Sequence, residues 1–117
     1  MSGTVTIYHN PRCSKSRQTL ALLEEEGVPH KVVEYLKEPP SVSELKRILK
    51  KLGLEAHDIV RKGEAVYAEL GLKDRDVTDD ELLALMVEYP ILIERPIVVS
   101  GDKAAIGRPP ESVLKIL

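Results

Sequence analysis

The sequence of 117 residues contains no tryptophan and no phenylalanine, and it has a single cysteine, Cys13. Without these large aromatic side chains, the core must be built mainly from leucine, valine and isoleucine. One cysteine cannot form an internal disulfide, and the chain has neither a Cys-x-x-Cys pair nor a Cys/His cluster with the spacing that zinc requires. We therefore expect no metal site, and the thiol is either an inert buried group or a reactive one.

The chain also has no excess of basic residues and no long apolar run. The formal net charge is −2 at pH 7, which gives no general reason to expect nucleic acid or an anionic membrane as a partner. No run reaches the roughly 18 apolar residues of a spanning helix, and the N-terminus lacks the pattern of a signal peptide. We expect one cytoplasmic domain over residues 1–117, and a monomer.

The apolar pattern of the first third of the chain predicts a strand, a helix and a second strand. The strands are expected at residues 4–8 and 30–36, where β-branched side chains are frequent, and the helix at residues 16–26. Short links between such elements favour a parallel, right-handed βαβ unit.

The rest of the chain predicts helices and then a second pair of strands. Ser41 and Thr78 each precede a glutamate by three residues, which is typical of a capping box at a helix start. A strand is expected at 97–99, then a turn at Gly101-Asp102, a partner strand and a last helix. The order predicts an α/β fold, with a four-stranded mixed sheet (βαβ-ββα) and a helical insertion between its halves.

Cys13 lies between the first predicted strand and the first predicted helix. In the first turn of a helix, backbone N–H groups and the helix dipole favour a thiolate, and the same N–H groups can hold an oxyanion. Nearby His9, Arg12, Lys15 and Arg17 add positive or potentially positive charge. One hypothesis is that these groups lower the pKa of the Cys13 thiol. The other is that Cys13 is a small buried hydrophobic side chain.

Two polar neighbours of Cys13 have more than one interpretation. Ser16 occupies the position of the second sulfur in a Cys-x-x-Cys motif, so a covalent intermediate at Cys13 would need an external thiol. The Ser16 hydroxyl could donate to the thiolate or satisfy backbone groups of the first helical turn. His9 could interact with the thiolate, form a hydrogen bond that holds the turn together, or be a plain surface residue.

Arginine precedes proline twice, at Arg95-Pro96 and at Arg108-Pro109. A residue before proline is biased towards extended backbone, which can direct its side chain into a cleft. Ion pairs at the protein surface would explain both arginines equally well. By itself, the pattern is a weak indication of an anion site.

Four separated segments, YHNPRCSKSR, IVRKG, YPILIERPIVV and GRPPESVLKIL, resemble in order and spacing the glutaredoxin-coupled arsenate reductases of the thioredoxin-like superfamily. The resemblance covers nearly the whole chain and implies a thioredoxin-like fold. It implies that Cys13 is the nucleophile and that Arg61, Arg95 and Arg108 surround the oxyanion. It also implies a loop histidine at His9 and a cis peptide bond before Pro96.

The resemblance further implies the reaction, in which the Cys13 thiolate attacks arsenate to form a covalent adduct. Glutathione then attacks the adduct, and glutaredoxin completes the reduction to arsenite. Glutathione would be a co-substrate, so no bound cofactor is expected. Guanidinium groups suit such an oxyanion because they bind its oxygens in pairs and keep their charge.

Two other functions fit the same fold. One is a glutathione-dependent thiol-disulfide oxidoreductase of unknown substrate, in which the arginines would hold a carboxylate. The other is a regulator that binds RNA polymerase and is not an enzyme. Such regulators typically carry Cys-x-x-Cys, and Ser16 argues against that switch.

Overall fold

The structure is a computed structural model that describes residues 5–117. The described residues form two compact units, the first from residues 5–38 and 95–117 and the second from residues 39–94. Thr4, which the sequence places in the first strand, lies outside the described residues. The helical insertion predicted between the halves of the sheet corresponds to the second unit.

The first unit is built on a four-stranded sheet with the strand order β2-β1-β3-β4. Strand β1 is parallel to β2 and antiparallel to β3, and β3 is antiparallel to β4. The predicted mixed α/β sheet is therefore confirmed. Its elements are β1 (Val5–His9), α1 (Ser14–Glu25), β2 (His30–Glu34), β3 (Ile97–Ser100), β4 (Lys103–Ile106) and a 3-10 helix (Pro110–Ile116).

The main apolar cluster of the first unit is aliphatic, as the composition predicts, but Tyr8 and Tyr35 are also buried in this unit. Val5 and Ile7 are two positions apart on β1 and so point to the same face of the sheet, where they contact Leu23 of α1 and Val98 of β3. Complete burial of one such side chain contributes about 1.5–3 kcal/mol. This packing fixes α1, and with it the residues at the N-terminus of α1, against the sheet.

A last helix follows the partner strand, as the sequence predicts, but it begins at Pro110 and has 3-10 geometry. Backbone hydrogen bonds from Ser112 N to Pro109 O (3.0 Å) and from Leu117 N to Leu114 O (3.4 Å) join residues three apart. At seven residues this is a long 3-10 helix, because the poorer hydrogen-bond geometry of this form usually limits it to three or four residues. The side chain of Val113 is buried in the core of the first unit.

The second unit is helical and has its own apolar core. Both predicted helix starts are confirmed, because Ser41 Oγ accepts from Glu44 N (3.1 Å) and Thr78 Oγ1 accepts from Glu81 N (3.1 Å). The helices are α2 (Val42–Leu52), α3 (Ala65–Glu69) and α4 (Asp79–Glu88), with 3-10 turns at Ala56–Asp58, Leu72–Asp74 and Pro90–Leu92. The buried side chains include Leu45, Ile48, Ile59, Leu82, Leu83, Met86, Leu92 and Ile93.

Residues 55–63 contain one short helical turn. Only Ala56–Asp58 is helical, and Val60 forms a β-bridge with Ile93. This bridge takes the backbone out of helical geometry just before Arg61. Among residues 5–117, no helix has the length and apolar character needed to cross a membrane.

Candidate active site

Cys13 is the N-cap residue of α1, with extended backbone (φ −94°, ψ 124°). Its N–H donates to Asn10 O (3.0 Å), and its carbonyl accepts from Arg17 N (3.0 Å). The side chain is partly exposed. The thiol thus lies at the positive end of the α1 dipole and is accessible from solvent, which argues against an inert buried group.

The pKa of the Cys13 thiol lies below its ordinary value. Burial alone would raise it, but hydrogen bonds to the sulfur from the backbone N–H of Ser16, the side chain of Arg95 and the backbone N–H of Lys15 lower it by more. Arg108 Nη2 also donates to Cys13 Sγ, at 3.6 Å. The shift agrees with the hypothesis of a lowered thiol pKa, and the positive charge that contributes to it is that of Arg95, which is distant in the sequence.

Ser16 and His9 are buried and hold the cysteine loop together. Ser16 Oγ is 2.7 Å from His9 Nδ1 and accepts a hydrogen bond from Asn10 N at 2.9 Å. The Ser16 hydroxyl therefore braces the loop, whereas the backbone N–H of Ser16 is the group that faces the thiol. The structure supports the interpretation in which His9 forms a hydrogen bond that holds the turn together.

The His9 ring favours its neutral form. Burial is the largest effect and lowers the pKa of His9; Glu34 opposes this change and Arg17 adds to it. A neutral ring in this buried position leaves the positive charge of the site to the arginines.

Two further residues brace the loop, and their roles were not predicted from the sequence. Asn10 is buried, and its Oδ1 accepts from Arg12 N at 3.0 Å. Arg17 Nη1 donates to Pro11 O at 2.9 Å, so its guanidinium supports the loop backbone. The Asn-Pro dipeptide was the available signal, because asparagine bonds to the backbone two residues on and proline presets a turn.

The two Arg-Pro segments are joined to each other beside the cysteine. Both Arg-Pro peptide bonds are cis, which confirms the prediction for Pro96. Arg108 Nε donates to Arg95 O at 2.9 Å, and Gly107 N donates to Pro96 O at 2.9 Å. Both guanidinium groups reach the Cys13 sulfur from these segments. The weak sequence pattern therefore marks one structural cluster.

Gly107 permits this close packing and was missed by the sequence reasoning. A Cβ at this position would lie 2.8 Å from Pro96 Cγ and would also clash with Thr19 of α1. Real Cβ atoms essentially never approach other atoms so closely. Glycine at this position therefore lets the backbone just before Arg108 lie directly against α1 and Pro96.

Arg61 belongs to the second unit and is bound by two carboxylates. Its Nε donates to Glu64 Oε2 at 3.0 Å, and its Nη1 donates to Glu94 Oε1 at 2.7 Å. Burial would lower the pKa of Arg61, but the two carboxylates outweigh it and raise the pKa. Arg61 does not lie on a helix. Its contact with an oxyanion stays a prediction.

The first unit therefore places a thiol of lowered pKa beside two guanidinium groups and backbone N–H groups. A thiolate is the reactive form of cysteine, and guanidinium and backbone N–H groups stabilise negative oxygens close to it. The described residues include no group of three or more histidine, cysteine, aspartate or glutamate side chains placed to hold a metal ion.

Comparison with known proteins identifies the family. The chain is 50% identical over 115 residues to an arsenate reductase of Haemophilus influenzae, across 97% of this chain and 99% of that protein. It is 51% identical over 118 residues to the uncharacterized protein YfgD of Escherichia coli (strain K12), across 100% and 99% of the two chains. The solved arsenate reductase from Vibrio cholerae matches with a TM-score of 0.94 and 54% identity, covering 100% of both chains. The ArsC family model matches residues 8–116, and the chain therefore belongs to the ArsC family, with its thioredoxin-like fold.

Proposed function

We propose that this protein reduces arsenate to arsenite, with Cys13 as the nucleophile, glutathione as co-substrate and glutaredoxin as the final reductant. The observation that carries the proposal is the set of groups that surround the Cys13 sulfur. It faces backbone N–H groups of α1 and the side chains of Arg95 and Arg108. Several of the relatives, at about half identity, are named arsenate reductases.

Substrate binding would use the charges that surround the sulfur. Arsenate is largely dianionic near neutral pH, and two guanidinium groups can bind its oxygens through charge-assisted hydrogen bonds. Arg108 Nη2 lies 3.6 Å from Sγ, so an oxyanion held by this group would have its central atom close to the nucleophile. This arrangement supports proximity as one source of rate acceleration.

The first chemical step would form a covalent adduct. The Cys13 thiolate attacks arsenic, a sulfur–arsenic bond forms, and one arsenate oxygen leaves as water after protonation. Arsenic remains As(V) in this adduct. A thiolate is needed because the thiol is a much weaker nucleophile, and the lowered pKa of Cys13 increases the fraction of thiolate.

The later steps would transfer two electrons from two external thiols. Glutathione displaces a second oxygen as water and bonds to arsenic through its sulfur. The glutaredoxin thiolate attacks that sulfur, the electron pair of the sulfur–arsenic bond stays on arsenic, and a mixed disulfide leaves. Water then releases As(III) as arsenite from Cys13. External thiols are required because the chain has no second cysteine.

The test is arsenate-dependent NADPH oxidation in the presence of glutathione, glutaredoxin and glutathione reductase. Wild-type protein is compared with Cys13→Ser and Arg95→Ala, and with Arg47→Ala as a control because Arg47 is exposed on α2. We expect Cys13→Ser to lose at least about a thousandfold in rate, since the hydroxyl is a far poorer nucleophile. Arg47→Ala should match the wild type.

Full activity in Cys13→Ser would refute the mechanism, and a wild-type protein without arsenate-dependent turnover would refute the proposed substrate. Omitting glutathione or glutaredoxin separately tests each external thiol. Undiminished turnover without glutaredoxin would contradict its role, even if Cys13 proves essential.

A further inference from the structure

A cavity of about 360 Å³ lies beside the cysteine loop in the first unit. Its volume falls within the roughly 300–1,000 Å³ of small-molecule sites. One wall is the loop that leads into Cys13, and the other is the end of β2 with the segment that follows it. The lining residues are Asn10, Pro11, Arg12, Glu34, Leu36 and Lys37.

The strand order places this cavity and the arginine cluster on opposite sides of the cysteine loop. Cys13 follows β1, which lies between β2 and β3 in the sheet. Arg95 precedes β3 and Arg108 follows β4, so both approach from the β3 side. The cavity lies on the β2 side. A second reactant could therefore approach Cys13 without displacing an anion held by the arginines.

The charges of the cavity suit a ligand that carries carboxylate groups as well as an ammonium group. Arg12 and Lys37 supply two positive charges, and Glu34 supplies one negative charge. Lys37 Nζ is 3.6 Å from Glu34 Oε1, with the two side chains 78% and 41% exposed. Such an exposed pair contributes little to stability, so a ligand can replace it at low cost.

We propose that this cavity binds glutathione, with its thiol directed towards Cys13. The inference rests on the proposed function, in which glutathione is the thiol that attacks the Cys13 adduct. Glutathione has two carboxylates and one ammonium group at neutral pH. The carboxylates pair with Arg12 and Lys37, the ammonium group pairs with Glu34, and the apolar atoms contact Pro11 and Leu36.

The test uses oxidised glutathione and does not need arsenate. The Cys13 thiolate attacks one sulfur of the disulfide, the sulfur–sulfur bond breaks, and one glutathione thiolate leaves. The product is a mixed disulfide between Cys13 and glutathione. The rate constant is measured by mass spectrometry and compared with that for bis(2-hydroxyethyl) disulfide, which is neutral and reports the intrinsic reactivity of Cys13.

The variants are Lys37→Glu and the matched control Lys31→Glu. Lys31 is an exposed residue of β2 that pairs with Thr6, away from the cavity lining, and its reversal changes the net charge equally. We expect Lys37→Glu to slow the reaction with oxidised glutathione by about tenfold, because it replaces attraction of a carboxylate by repulsion. The reaction with the neutral disulfide should change by less than about twofold, since the thiolate is unaltered.

Equal rates for the two variants with oxidised glutathione would overturn the assignment. A Lys37→Glu variant that slows both disulfides equally would also overturn it, because the effect would then lie in Cys13 reactivity. The arsenate assay remains separate. If the protein does not reduce arsenate, the dependence of the reaction with oxidised glutathione on Lys37 can still be measured. If Lys37 has no effect on that reaction, the arsenate assay can still show arsenate reduction.

Discussion

The two units of this protein use arginine in opposite ways. In the first unit, Arg95 and Arg108 hydrogen bond to the Cys13 sulfur. In the second unit, Arg61 is held between the carboxylates of Glu64 and Glu94. Near the thiol the positive charge stabilises a reactive anion, whereas at Arg61 two fixed anions already compensate it. An arginine in a sequence motif therefore predicts a positive charge, but the residues around it in the fold decide which group that charge interacts with.

The largest expected contrast is in catalysis. Arg95→Ala should lower kcat/KM for arsenate by about a hundredfold, the usual cost of removing one donor that stabilises a developing charge. It should also raise the pKa of Cys13, because a hydrogen bond from Arg95 lowers it in the native protein. The pH profile of iodoacetamide alkylation checks this shift, and the variant should need a higher pH for half-maximal rate.

Arg61→Ala is the matched arginine in the second unit. We expect a smaller loss, about tenfold and mainly in the KM for arsenate, with an unchanged alkylation profile, because its charge is already balanced by Glu64 and Glu94. A loss as large as that of Arg95→Ala, together with the same shift in the profile, would remove the distinction between the two arginine environments.

The next contrast concerns stability and compares a glycine in each unit. Gly107→Ala forces a Cβ to 2.8 Å from Pro96 Cγ, and such overpacking costs about 1–3 kcal/mol. Gly63→Ala meets nothing within 4 Å, so the free energy of unfolding should stay within about 0.5 kcal/mol of the wild type. Urea unfolding measures both variants. Equal midpoints would show that the packing around Gly107 can relax.

The smallest expected effect is a pH dependence of stability at His9. Burial lowers its pKa in the folded protein, so the unfolded chain binds more protons once the pH falls below the ordinary histidine value of about 6.5. The free energy of unfolding should therefore decrease as the pH falls from 7.5 to 5.5. His9→Asn, which cannot titrate there, should show a shallower decrease. An unchanged slope in urea unfolding would contradict a buried neutral His9.

Much of the fold could be read from short-range patterns. The alternation of apolar residues predicted the strands, and the serine and threonine at positions 41 and 78 predicted two helix starts that the structure confirms. These signals are local because a cap or a strand face depends on residues a few positions apart. The boundaries shifted by one or two residues, so that α1 begins at Ser14 instead of Ser16, and Cys13 becomes its N-cap.

The sequence by itself determined that one cysteine lies between a strand and a helix, and that any covalent intermediate needs an external thiol. Only the tertiary structure decided which groups contact the sulfur. It brought together Cys13, Arg95 and Arg108, turned the Ser16 hydroxyl towards His9, and placed Gly107 against α1. Most of these contacts join residues far apart in the chain, and the contact between Ser16 and His9 spans seven positions. All of the distances depend on the packing of helices and loops on the sheet, which no local pattern encodes.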